Sequence, residues 1–474
     1  MNPTTTDTPT TEVRRALSPL ERWYWIADQV SPLNVIARVQ VRGPLPPTLL
    51  RAALDWLRRR HPLLRVAIAT APDGRSPRFV PTDRPIPLHQ VTHDEAGWVR
   101  RINEHELVDR IDWRRGPLCR TVVLTRASTG GVPDDEVHDL LLTMPHCVAD
   151  GTTVLSLLRQ WIDLAEQVRR GAGATDGADG AEPDEPGEPG EPALPGCEAM
   201  FPRRYRGLVG TLRLRWLLAR DLYRVRRYRP ARVVPSRFVP FTERRTRLLA
   251  RTLTPEQVET LVAACRRERT TVHGALAAAM VLAVAAETGA PAPGHVTIGS
   301  PVTFRDALVP AVPERAVGAY VATVPTFVGY RPGLSLWQLA RSISGDLAIR
   351  RRSGSHFAMV DLVTISCPRS VAASGRFIET MERTGPVNLC LSNIGRYDFP
   401  ARVGPWQLSG AQFIAGLSVC GYFVSTVNTS HGRLFWNFTY VPDALPQERA
   451  ARLVAASVDA VLAAIGCRSE RSRA

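Results

Sequence analysis

His146 is the residue of this chain best placed to do acid–base chemistry. The segment Met144-Pro145-His146-Cys147-Val148-Ala149-Asp150-Gly151 follows an apolar run, Leu140-Leu141-Leu142-Thr143, and precedes a helical pattern from Thr152. It reads as a strand, a tight exit, a histidine, a short loop and a helix start. His-x-x-x-Asp-Gly in that setting offers a general base on a rigid platform. Neutral imidazole takes a proton from a hydroxyl or amine near pH 7, because its ordinary pKa lies close by. No Ser or Cys nucleophile is paired with the base, so the group it helps to move must already be activated. Asp150 is too near in sequence to be assumed a triad partner. Its expected role is structural: it closes the loop, through an Arg from elsewhere in the chain, and fixes the His146 backbone. Gly151 is expected to let the chain turn where a Cβ would clash. Two other readings stand beside this one. His146 could be a packed histidine at a strand end, or half of a metal pair with Asp150; Gly151 argues against a continuous helix there, and no third ligand is evident. Cys147 reads as a small buried thiol.

The elements that must hold this segment come from a chain of 474 residues, long enough for two cores. Its 44% hydrophobic and 22% charged residues are those of a globular protein. The first residues are rich in Thr and Pro without an apolar signal, and no apolar run reaches membrane-spanning length. Eight scattered cysteines with no C-x-x-C pair suit a reducing cytoplasm, not a disulfide framework or a zinc site. The net charge is +15 and every basic residue is Arg. Such a balance favours acidic partners: coenzyme A phosphates, an acidic carrier protein or anionic lipid. No nucleic-acid fold signature accompanies it, so no nucleic acid is expected.

Residues 1–15 are expected to be a disordered tail. Residues 16–170 read as one unit, with helices at 48–60, 96–108 and 152–169 and strands at 34–41, 64–69, 118–125 and 139–144. Residues 171–198 are expected to be a disordered acidic linker of repeated Glu-Pro-Gly. Residues 199–245 form a basic amphipathic connection. Within it, residues 203–237, from Arg203 to Arg237, hold twelve Arg against one acid, Asp221. Leu208, Leu212, Trp216, Ala219, Leu222 and Tyr223 fall near one helical face, expected to pack inward; the other reading is a docking surface for a carrier protein or a peripheral membrane contact. Residues 246–466 form a second unit, with strands at 247–253, 296–300, 322–328, 387–392, 423–428 and 434–440. Its helices are read at 255–268, 271–288, 336–349 and 446–464, and residues 467–474 are a tail. The order suggests a pseudo-duplicate with a single motif-bearing half.

With these residues in place, the chain resembles the chloramphenicol acetyltransferase-like, condensation-domain superfamily. The anchor is His146-Cys147-Val148-Ala149-Asp150-Gly151. Supporting matches are Leu17-Ser18-Pro19-Leu20-Glu21, His61-Pro62-Leu63-Leu64-Arg65, Pro301-Val302-Thr303-Phe304-Arg305 and Leu391-Ser392-Asn393-Ile394-Gly395. The resemblance implies a mixed α/β fold of two acetyltransferase-like subdomains in a V, with a tunnel at their interface. It implies His146 as catalytic base, Asp150 and Gly151 as structural residues, and Arg305 as the partner of Asp150. Ser392 and Asn393 would line the tunnel and could stabilise an oxyanion. Pro145 stands where peptide-condensation domains usually carry another His, and no D-F-G-W-G motif of plant-type acyltransferases is present. The single-His form is closer to free-standing actinobacterial polyketide-associated enzymes of the phthiocerol dimycocerosyl transferase type than to either of these. The implied function is a monomeric cytoplasmic acyltransferase acting in trans. It would need no bound cofactor or metal, and would take a thioester on coenzyme A or an acyl carrier protein to a small-molecule hydroxyl or amine. Rival readings are a carrier-binding module without catalysis, and cyclisation or rearrangement in the same tunnel.

Overall fold

The computed structural model describes residues 12–93, 97–126, 136–175, 191–287, 293–331, 333–384, 389–419 and 421–467. In chain order it runs α1 (Pro19–Val30), β1 (Asn34–Arg42), α2 (Pro47–Arg60), β2 (Val66–Ala69), β3 (Arg78–Pro81), β4 (Leu88–His93), α3 (Gly97–Arg101), β5 (Arg120–Arg126), β6 (Val137–Pro145) and α4 (Gly151–Thr175). Then come α5 (Gly207–Tyr228), β7 (Arg247–Leu253), α6 (Pro255–Arg267), α7 (Val272–Glu287), β8 (Gly294–Thr303), β9 (Val321–Tyr330) and α8 (Leu336–Ser353). The last are α9 (Ser355–Ser366), α10 (Gly375–Thr384), β10 (Leu389–Arg396), β11 (Arg402–Val403), β12 (Trp406–Ala415), β13 (Phe423–Ser430), β14 (Arg433–Tyr440) and α11 (Gln447–Ala464).

Local chemistry sets several of these ends. α1 starts at Ser18, whose hydroxyl accepts the Glu21 N–H while the Glu21 carboxylate accepts the Ser18 N–H. Thr254 and Gln257 build the same box on α6, with Pro255 at the first position. α8 runs past its sequence-read end to Ser353 and stops at Gly354, whose φ of +84° is left-handed. α9, α10, β3, β4 and β12 carried no clear sequence period. β12 is interrupted by Gly410 at φ +66°, and its main partner, β1, lies far away in sequence.

Two six-stranded sheets carry the fold. The first has the order β11-β12-β1-β6-β5-β4 and the second β7-β14-β13-β10-β8-β9. β6 is interior, antiparallel to both β1 and β5. It is buried over nearly all its length, which explains its continuous apolar run. One core packs β1, β6, α2 and α4; another packs α7, α11 and the second sheet. A third cluster joins α1, α5, α9 and the segment around Tyr320.

The sheets do not follow the sequence units. β12 lies in the second unit by sequence, yet it pairs with β1 in the first sheet. Side chains of the second sheet hold it from the other side. Asn428 accepts the Phe413 N–H and donates to Ala411 O, while Thr426 and Asn437 both donate to Phe413 O. The expected tail at 1–15 also needs correction, because Val13 enters the first core and Arg15 makes two 2.7 Å hydrogen bonds to Glu21. The linker is shorter than 171–198. α4 continues to Thr175, the Glu191 N–H donates to Arg60 O, and Cys197 and Met200 are buried. Residues 1–11, 176–190 and 468–474 of the expected tails and linker lie outside the described residues.

Candidate active site

His146 leaves the end of β6, where its N–H donates to Leu33 O at 2.9 Å. Its Nδ1 lies 2.8 Å from Ala149 O. A carbonyl only accepts, so Nδ1 carries the proton and Nε2 keeps its lone pair. The ring stacks on Tyr24 of α1, with centroids 4.2 Å apart and planes 3° from parallel. Tyr24 is anchored by its hydroxyl, which donates to Val321 O at 3.3 Å. The imidazole is thus fixed in tautomer, plane and rotation, yet it is only partly covered. Burial holds its pKa below the ordinary 6.5, against the opposing pull of Asp150, so it is neutral at pH 7.

Asp150 caps α4: its Oδ1 accepts the Thr153 N–H at 2.8 Å. Oδ2 accepts the Tyr320 N–H at 3.0 Å. Arg305 follows β8 in the 3-10 turn Arg305–Ala307, and its Nη2 reaches Oδ1 at 3.2 Å and Oδ2 at 3.3 Å. Nη1 donates to Pro313 O and Ala316 O, while Nη2 also donates to Thr153 Oγ1. The Asp150–Arg305 pair therefore stitches the His146 loop to the 313–320 segment of the other half. Burial works against the carboxylate charge, but Arg305 and the two N–H donors outweigh it, and the pKa lies below its ordinary value. With both oxygens taken by these donors, Asp150 fits a positioning role and not a metal ligand.

Gly151 needs a correction. It is the first residue of α4 and has no left-handed φ. What forbids a side chain is Phe413 of β12, whose Cε2 would lie 2.6 Å from a Cβ. The glycine thus permits close packing between α4 and β12, not a tight turn. Cys147 is buried, which pushes its thiol well above the ordinary value. All cysteines among the described residues are free thiols.

Ser392 and Asn393 lie on β10, opposite Thr426 and Val427 of β13. Asn393 Oδ1 accepts the Gly395 N–H at 2.7 Å, at a break in strand register. Neither residue is among the hydrogen-bond partners of His146, Asp150 or Arg305. The structure thus groups His146, Asp150, Gly151 and Arg305, and leaves Ser392 and Asn393 outside that group. Sequence reasoning missed Tyr24, Thr153 and Tyr320. Only Tyr24 carried a signal, its place one turn after the capping box of α1. His61, in a supporting motif, is a packing residue: it is buried, bonds Gln160 of α4 at 2.8 Å, and burial lowers its pKa to about 4.

Residues 242–409 match the family described as phthiocerol/phthiodiolone dimycocerosyl transferase C-terminus. Over 165 residues, 33% of the chain, it is 28% identical to malpibaldin synthetase of Mortierella alpina; that stretch is 3% of the longer protein. Among solved structures it is similar to the epimerization domain from the third module of tyrocidine synthetase B, with a TM-score of 0.63 and 17% identity over 97% of this chain and 98% of that one. Polyketide synthase associated protein 5 from Mycobacterium tuberculosis gives 0.63 and 18%, covering 96% and 98%. A mutant starter condensation domain of rhizomide synthetase, in complex with C8-CoA, gives 0.65 and 15%, covering 96% and 95%. At these identities the structural likeness is one of fold, two acetyltransferase-like subdomains of mixed α/β structure. The chain thus has the fold of these condensation-domain and acyltransferase-like structures, and its residues 242–409 match the phthiocerol/phthiodiolone dimycocerosyl transferase C-terminus family.

Proposed function

We propose that the chain is an acyltransferase that moves an acyl group from a thioester to a hydroxyl or amine. The observation that carries this reading is the locked tautomer of His146. Its Nδ1–H is spent on Ala149 O, leaving Nε2 as the neutral base of a half-buried imidazole. Nε2 takes the acceptor's proton as its oxygen or nitrogen bonds to the thioester carbonyl carbon. The tetrahedral oxyanion collapses, the C–S bond breaks, and the leaving sulfur takes the proton back from Nε2. The free enzyme is then restored without an acyl-enzyme or a metal. Oxyanion donors would come from Ser392, Asn393 or a backbone N–H. Asp150, Arg305 and Gly151 hold the loop.

The donor is an acyl-coenzyme A or an acyl group on a phosphopantetheinyl carrier protein. The coenzyme A thioester in the related condensation-domain complex supports this, as does the net charge of +15, which attracts phosphates and acidic carriers. Donor and acceptor would meet at His146 in a tunnel between the subdomains. We place the protein as a monomer in the reducing cytoplasm, where free thiols persist. The acceptor is a natural-product or lipid alcohol or amine.

The test is intact-mass screening of pooled alcohols and amines against acyl-coenzyme A and acyl-carrier donors. A product whose mass is acceptor plus acyl group, lost in His146→Ala, is expected. A product with the donor's own mass would assign rearrangement instead. Carrier capture with no product from any donor would assign a binding module.

A further inference from the structure

The apolar stripe of α5 faces out. Leu208, Val209, Leu212, Trp216 and Tyr223 are 78, 80, 60, 63 and 66% exposed. The inward expectation for this stripe is therefore corrected; the buried side is Gly210, Leu214, Leu217 and Asp221. That side cannot rotate away. Asp221 accepts two hydrogen bonds from Arg350 Nη1, at 3.0 and 2.9 Å, and a Cβ on Gly210 would lie 2.4 Å from the Tyr205 carbonyl carbon. At about 100° per residue, these five apolar residues fall within an arc of roughly 100°, opposite the anchored side, and Leu222, 51% exposed, lies about 40° farther round, beyond Arg215. From Leu208 to Tyr223 the ridge is about 22 Å long at ~1.5 Å per residue. Arg215 borders one side and Arg213 and Arg220 the other, with Arg226 and Arg227 on the last turn. The one acid of α5, Asp221, is buried beneath.

We propose that this ridge docks the protein on the surface of an anionic phospholipid bilayer. A stripe of Leu and Val with Trp and Tyr, edged by Arg, suits the boundary between headgroups and acyl chains. The rings sit at the headgroup level, and the guanidinium groups reach back to lipid phosphates. The side chains stand clear of the surface. A fluid interface can close around such a ridge, whereas a folded carrier protein would need a matching groove. Among the described residues no single helix is long and apolar enough to cross a membrane, so α5 lies on the bilayer. The surface lies outside the His146 site, and its assignment does not rest on the acyl-transfer reading.

Flotation of the full chain with phosphatidylcholine vesicles, with and without phosphatidylglycerol, tests it. Binding is expected to phosphatidylglycerol vesicles at about 0.05 M salt, weakened at about 0.5 M and at least about tenfold weaker to neutral vesicles. Leu212→Glu with Trp216→Glu removes two inserted side chains and should lower partitioning more than about tenfold. Leu208→Glu with Val209→Glu, on the first turn, should do the same. Arg226→Gln and Arg227→Gln should each lower it about fivefold, the equivalent of ~1 kcal/mol. All these positions are exposed, so melting temperatures should stay unchanged. The proposal is overturned if the parent does not float with phosphatidylglycerol vesicles, or if both Glu pairs float as the parent does. Capture of an acidic acyl carrier protein through this ridge without vesicle binding also overturns it.

Discussion

At the scale of the residue, the chemistry depends on which nitrogen of His146 is free. The Ala149 carbonyl fixes Nε2 as the base, and burial keeps it neutral at pH 7. Protonation removes the base, so kcat/KM should fall as pH drops through the His146 pKa, with a midpoint below 6.5. A midpoint above about 7 would contradict this account. A second titration belongs to stability. Asp28 is buried in the last turn of α1, where a helix end disfavours an anion, and burial raises its carboxyl to about 6 despite the Leu33 N–H it accepts. The folded state thus holds that proton more tightly than the unfolded chain, whose carboxyl titrates near ~3.9. Stability should fall by about 3 kcal/mol as pH rises from about 4 through about 6. Asp28→Asn should raise Tm at about pH 7.5 and change it little at about pH 4, read by thermal melts at both values; an equal shift at both would contradict this. Residue type and motif spacing pointed to His146 and Asp150, and the family resemblance pointed to Arg305. Tyr24 carried only its place one turn after the α1 capping box, since stacking across two elements leaves no local period.

At the scale of the element, the His146 loop is held by the start of α4. Asp150→Ala would leave Arg305 buried without its carboxylate and should cost about 3–5 kcal/mol. Urea unfolding would read that loss, and it should accompany any loss of activity. Gly151→Ala drives a methyl into Phe413 and should cost about 1–3 kcal/mol. Adding Phe413→Leu should return part of that loss, giving coupling in a double-mutant cycle; strict additivity would contradict the contact. Strong local signals made α6 and β7 legible: Pro255 at the first helical position, and a short apolar strand. α5 was legible as an amphipathic helix but not in its orientation. Its buried side is anchored by the Asp221–Arg350 pair, and hydrophobicity alone pointed to the opposite face.

At the scale of the molecule, β12 makes the two halves interdependent. It is a strand of the first sheet, held by Asn428, Thr426 and Asn437 of the second. Asn428→Ala would orphan the buried Phe413 N–H and should cost about 1–3 kcal/mol, with unfolding still a single transition. Two separate transitions would contradict the interlock. The duplicated order of strands and helices was readable along the chain, whereas the exchange of β12 was not, because strand pairing at long sequence separation carries no local pattern. The central claim is that His146 is the base of a thioester acyl transfer. Its most direct test is kcat/KM of His146→Ala against the parent, with one donor and acceptor and with Tm measured on both. The account predicts a loss of about 10²–10⁴ at unchanged Tm; a variant that keeps most of the parent's rate would contradict it.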